Sequence, residues 1–270
     1  MKIERIKAYK SCLLFILAAI YIKVLFFLPM FRANLEVELR VSDLFPGALS
    51  STSFLIIIYS LPVLTCICFI SKKKIAYLYS AILLILCSLI LLLHIGTYND
   101  ATFTTSLWAS IWLLLLTLSP MDDAKQKLQL IGIGQLIIAM TFLGGFIGKL
   151  TPEYWSGEVL FNAYFMYKNN LPYPLIRSLC DTETIRVIAK YFSAMVILTE
   201  LFMALSFFLP VRKFVPIGII ICSGIVLFSH IYLFSVMGPL IGIIVSIHFL
   251  NKDSDETLKD KALSQNLPSL

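Results

Sequence analysis

Apolar residues in this chain run in blocks of roughly twenty, separated by short polar stretches. They do not alternate, and they do not keep to one helical stripe. The blocks are Ser11–Leu28, Ser53–Ile70, Ile75–His94, Thr102–Ser119, Leu128–Gly148 and Thr184–Leu209, followed by a longer run, Phe214–Leu250. About 20 apolar residues span the hydrocarbon layer of a bilayer as one helix. The last run would be about 55 Å long as a single helix, and the layer is only about 30 Å thick. It must therefore break, and Met237-Gly238-Pro239 is the expected place, because proline cannot continue the backbone ladder. The pattern predicts an all-α fold: a polytopic membrane bundle of about eight transmembrane helices. The first block follows a basic start and is read as a retained helix, since it contains Lys23 and has no small-x-small cleavage pattern.

Composition removes the soluble alternative. Apolar residues are 59% of the chain and charged residues 14%, against about 45–50% and about 25% in soluble domains. The net charge of +6 does not indicate nucleic-acid binding, because the basic residues fall between apolar blocks and act there as topology markers. One alternating set of polar segments, containing both chain ends, holds 14 Lys and Arg, and the opposite set holds six. The positive-inside rule then puts both ends in the cytoplasm. This gives a multi-pass cell-membrane protein, with residues 1–250 as the membrane domain and 251–270 as a polar, mobile cytoplasmic tail. Five of the six cysteines lie in apolar blocks and only Cys180 lies in a polar loop, so no disulfide framework is expected.

Two segments face outward, Phe31–Thr52 and Lys149 to about Glu183. The second carries the most informative stretch, running from Gly144 to Gly157. Gly144 and Gly148 form a small-xxx-small pair that lets another helix approach closely. Lys149 follows at the outer helix end, and Tyr154 and Trp155 are types that favour the membrane–water interface. One reading is a packed helix end with a snorkelling lysine and an aromatic belt. The other is a partly desolvated lysine able to act as a base. The next residues, Glu158–Lys168, are too short to span and too aromatic for a free loop, which predicts an outer interfacial helix, broken at Asn169–Pro174. Such a shelf could bind a lipid, a quinone or a peptide, or serve as a structural lid.

Two ionisable residues fall inside apolar blocks, Glu200 and His230. A carboxylate at membrane depth is costly and needs a partner or a task. His94, Tyr98, Asn99 and Asp100 cluster at an outer helix end. Metal-ligand spacings are absent, and Gly132-Ile133-Gly134 lacks the strand–loop–helix setting of a phosphate loop.

The phrase Gly148-Lys149-Leu150, then Trp155 and Gly157, resembles the "G-K-L … W … G" patch of the horizontally transferred transmembrane (HTTM) domain proteins. Glu200, followed about thirty residues on by His230, is similar to the same family's downstream pattern. The family includes the membrane part of vitamin K-dependent gamma-carboxylases and the bacterial SdpB-like proteins, which help mature secreted antimicrobial peptides. The resemblance implies Lys149 as a catalytic base, with Glu200 and His230 lining the same outward-facing cavity. Tyr154, Trp155 and Gly157 of the same patch are expected at the substrate side, and His94, from the polar cluster at the outer helix end, is expected there too. The resemblance also implies a secreted peptide precursor and a partner maturation protein as associates, beside the lipid bilayer. A reduced quinone would be the cofactor of a carboxylase-like reaction. The shorter bacterial members are closer to this chain in size. A carrier or export component, and a toxin-immunity scaffold, are the non-enzymatic alternatives.

Overall fold

The computed structural model describes residues 3–26, 52–71, 73–93, 101–119, 124–169, 172–229 and 233–265. The expected sites His94 and His230, the polar group Tyr98, Asn99 and Asp100, and nearly all of the outer segment Phe31–Thr52 lie outside the described residues. Among the described residues there are helices and no strand. Lipid offers no hydrogen-bond partner, so each backbone N–H must find its acceptor within its own segment. In chain order the helices are α1 (Ile3–Phe26), α2 (Thr52–Ile70), α3 (Lys74–Leu93), α4 (Ala101–Leu118) and α5 (Ala124–Gly148). Short elements follow: α6 (Pro152–Trp155), α7 (Glu158–Leu160) running into a π turn at Phe161–Phe165, and α8 (Tyr173–Leu179). The chain then forms α9 (Thr182–Leu205), α10 (Val211–Ser229) and α11 (Phe234–Gln265). Seven of these, α1, α3, α4, α5, α9, α10 and α11, are long and apolar enough to cross a membrane, and α2 adds a shorter apolar run, Ile56–Ile70. The chain is an all-α, multi-pass membrane protein.

The helices form two compact units, Met1–Gly134 with Phe234–Leu270, and Gln135–Leu233. In the first, α1 packs on α11 through small residues one turn apart. A Cβ on Gly242 would stand 3.1 Å from both Cα and O of Cys12, and one on Gly238 would stand 3.3 Å from Ala19 Cβ and Phe15 O. One turn further, Ser246 donates to Ala8 O at 2.6 Å. Polar side chains complete the unit. The Tyr9 hydroxyl lies 2.6 Å from Tyr77 O and 2.6 Å from Ser80 Oγ. Thr102 and Ser235 hydroxyls pair at 2.8 Å. Buried Arg5 donates to Leu116 O at 2.7 Å, Thr117 O at 2.9 Å and Ser119 O at 2.5 Å. The last carbonyls of a helix have no partner within it, and a cation there also meets the negative end of the helix dipole.

Three expectations are corrected. No break falls at Gly238-Pro239, which lie within α11; α10 is described to Ser229 and α11 begins at Phe234. Pro239 sits in the second turn of α11, and membrane helices accept proline where neighbours re-satisfy the freed carbonyl; Gly238 serves the contact with α1. The polar tail is also helical, because α11 runs past Asn251 to Gln265. Finally, no single helix covers Glu158–Lys168: that stretch divides into α7 and the π turn, and α8 follows it.

Gly242→Val is expected to destabilise the protein by about 1–3 kcal/mol, because the added side chain must enter a filled helix contact. Unfolding in mixed micelles reads the shift, and an unchanged transition would contradict the packing account.

Candidate functional site

In the second unit α9 packs on the short elements of 152–179, and the end of α5 meets it at Gly145 and Lys149. Along α9 the buried positions are Ile185, Ala189, Ser193, Ile197, Glu200 and Met203. Their spacing of three and four defines one helical face. The opposite stripe, Val187, Tyr191, Met195, Leu198, Phe202 and Leu205, is exposed. Glu200 therefore faces the inside of its unit, as the cost of a carboxylate in lipid requires. Asp181 starts α9 by accepting from Thr184 N at 2.8 Å. That side chain's hydrogen bonds with Thr184 hold its carboxyl below the ordinary value.

Lys149 and Glu200 meet. Lys149 Nζ lies 2.6 Å from Glu200 Oε1, with 22% of the lysine side chain and 11% of the glutamate side chain exposed. Lys149 belongs to the turn that ends α5, where its N–H bonds to Phe146 O at 3.1 Å. Side chains on a helix lean toward its N-terminus, and Lys149 accordingly reaches back, with Nζ 3.5 Å from Gly145 O. Gly145 is what brings the carboxylate so close. A Cβ there would stand 3.0 Å from Glu200 Oε1 and 3.1 Å from both Cδ and Oε2. Tyr154 closes another side, its ring centroid 5.7 Å from the ammonium, within cation–π range. Burial raises the Tyr154 phenol above its ordinary value, with Tyr164 and Glu200 adding to the effect, so Tyr154 stays neutral. Glu200 Oε2 is buried, with no hydrogen-bond partner among the described residues.

Gln135 Nε2 donates to Leu209 O at 3.3 Å, a second contact between α5 and the chain just past α9, nine residues from Glu200. Lys149 Nζ, beside Gly145 O, lies about one turn back along α5 from the end of that helix.

Above the pair sits the segment from Thr151 to Cys180. Thr151 caps α6, and Ser193 Oγ donates to Tyr154 O. Gly157 has φ +82° and lies flat against α9, where a Cβ would stand 2.5 Å from Lys190 N and Cα. Leu160, Phe161, Phe165 and Tyr173 pack on Ile185 and Ala189. The Tyr173 hydroxyl donates to Phe228 O at 2.6 Å. Arg177 donates to Phe165 O at 2.6 Å and Lys168 O at 2.8 Å, closing the carbonyls at the end of the π turn.

Of the residues named from sequence, Lys149, Glu200 and Tyr154 converge. Trp155 is exposed, at 45%, and Gly157 is a packing residue. His230 and His94 fall outside the described residues. The small-xxx-small pair is corrected: a Cβ on Gly144 or Gly148 would meet nothing within 4 Å, whereas Gly145 makes the close approach. The sequence reading passed over Gly145, Ser193 and Arg177. Of these only Ser193 carries a signal, as a hydroxyl on the same face as Glu200 and seven residues from it. Compared with protein-family profiles, with curated proteins and with solved structures, the chain finds no match in any of the three.

Gly157→Ala combines a left-handed backbone with a collision against the α9 main chain. It is expected to loosen Thr151–Phe165 from α9 and to raise amide exchange across that segment. Unaltered exchange would show that the segment is held by other means.

Proposed function

We propose that this chain modifies or matures a secreted peptide, acting through a polar site under its outer-side segment, with Lys149 as base and Glu200 as its proton partner. The observation that carries the reading is the 2.6 Å, largely buried ion pair between the end of α5 and α9. Two buried charges cost several kcal/mol each to desolvate, and replacing such a pair by apolar residues is often neutral or stabilising. Stability alone therefore gives little reason to keep it. The pair also joins the two parts of the HTTM-like pattern, Gly148-Lys149-Leu150 and Glu200, which are 51 residues apart in sequence. In the proposed step the Lys149 ammonium passes a proton to Glu200 Oε1, and the neutral amine then takes a proton from the bound substrate. Tyr154 bounds the space above the ammonium, and Gly145 fixes the carboxylate.

The test is peptide maturation in the native host. Removing one partner leaves the other charge buried alone, a loss of about 3–5 kcal/mol, so Lys149→Gln or Glu200→Gln alone confounds folding with function. The double variant Lys149→Gln/Glu200→Gln removes both charges. It is expected to accumulate normally and to abolish maturation. Full maturation by that variant at normal protein level would overturn the reading.

We further infer that both ends lie in the cytoplasm. Eight apolar helices return the chain to its starting side, and the Lys-rich segments gather on that side. Cys180, part-exposed beside the end of α8, is then on the outer face. In a variant that retains Cys180 alone, an impermeant thiol reagent is expected to label intact cells. A variant with a lone cysteine at Lys73 is expected to be labelled only after lysis. The reverse pattern would invert the orientation.

A further inference from the structure

Unit 1 carries a second charged feature, separate from the Lys149 site. At one end of this unit the N-terminal part of α1, the end of α2 and the start of α3 come together. The Tyr9 hydroxyl ties α1 to Tyr77 and Ser80 of α3. Lys10 Nζ of α1 lies 5.6 Å from the ring centroid of Phe69 near the end of α2. Three residues past the end of α2 comes exposed Lys73, and then Lys74, the first residue of α3. Lys7 stands one turn from Lys10, half-exposed and 2.6 Å from Glu4. The matched levels of Tyr9 and Tyr77 put Lys7, Lys73 and Lys74 at the same end of the unit.

This cluster has the two halves of a lipid site. Lys10, Lys73 and Lys74 supply positive charge, and the Glu4 carboxylate pairs with Lys7. Beside them are exposed apolar side chains that water does not favour: Ile70 at 79%, Ile75 at 56% and Ile67 at 61%. Both α2 and α3 reach their ends at this turn, which puts the ammonium groups at the level of lipid phosphates and the isoleucines at the level of acyl chains. The cation–π contact holds Lys10 across the junction rather than out in water.

We propose that Lys10, Lys73 and Lys74 form a binding site for an anionic phospholipid. The headgroup phosphate is held by the three ammonium groups, and an acyl chain lies along Ile67, Ile70 and Ile75. The site lies in the unit that lacks Lys149 and Glu200, so it stands whether or not the peptide-maturation reading does.

The experiment uses the full chain, delipidated in a neutral detergent and titrated with phosphatidylglycerol or phosphatidylcholine, with retained lipid counted by native mass spectrometry. Wild type is expected to retain phosphatidylglycerol in preference to phosphatidylcholine, in a 1:1 complex. Each lysine near a membrane surface contributes about a fivefold gain in anionic lipid affinity. The variant Lys10→Gln/Lys73→Gln/Lys74→Gln should therefore bind about a hundredfold more weakly. A charge-matched control, Lys190→Gln/Lys213→Gln/Lys252→Gln, changes exposed lysines elsewhere and should retain wild-type binding. The proposal is overturned if the two lipids bind wild type equally, or if the control loses as much as the triple variant, which would mean a diffuse charge effect. It is also overturned if millimolar glycerol phosphate displaces the lipid, because the site would then hold a free phosphate group and not a lipid.

Discussion

Helices in a bilayer gain nothing by hiding apolar surface from one another, because lipid tails are as apolar as leucine. What holds them is close van der Waals contact and the hydrogen bonds that such closeness permits. This fold meets that constraint with small residues at its main crossings. Gly238, Gly242 and Ser246 bring α11 onto α1 in the first unit. Gly145 and Gly157 bring α5 and the segment after it onto α9 in the second. The two buried arginine and tyrosine anchors of the first unit, Arg5 and Tyr9, reach main-chain carbonyls in neighbouring helices because the backbones are already near.

The same constraint shapes the chemistry. A buried carboxylate on an apolar helix is costly unless an opposite charge reaches it at hydrogen-bond distance. Lys149 can do so because it ends α5 and leans back along it, and because no side chain on Gly145 separates the two helices. Glu200 Oε1 meets the ammonium, while Oε2 has no partner among the described residues. The segment above the pair is fixed at several points, by Ser193, Gly157 and Tyr173, so the pair has a defined roof.

The helical bundle was legible because its signal is long and one-dimensional. Blocks of about twenty apolar residues have few alternative structures, and Glu200 stood out as a charge within one of them. Contacts between helices were less legible. Gly144 and Gly148 have the spacing of a packing motif but face no neighbour within 4 Å, whereas Gly145, one residue away, touches the key carboxylate. Sequence spacing gives the face a residue shares, not which face meets a partner. Proline misled in a related way: Pro239 marks a strong local preference to stop, and tertiary packing of Gly238 and Gly242 overrides it. The π turn at Phe161–Phe165 has no composition of its own, so a continuous short helix was the natural expectation. Arg177 counted only as an outer charge until the turn's carbonyls were located around it.

The packing of α1 on α11 carries a consequence for the order of assembly. A chain is made from its N-terminus, so α1 enters the membrane long before the small-residue stripe that receives it exists. Some 200 residues must be synthesised between the two, among them the whole of the second unit, whose contacts close within residues 135–233. The second unit can therefore complete itself on the way, whereas the first must stay open until its last helix arrives. A ribosome stalled before Phe234 would leave the Ala8–Cys12–Ala19 face of α1 uncovered in the bilayer.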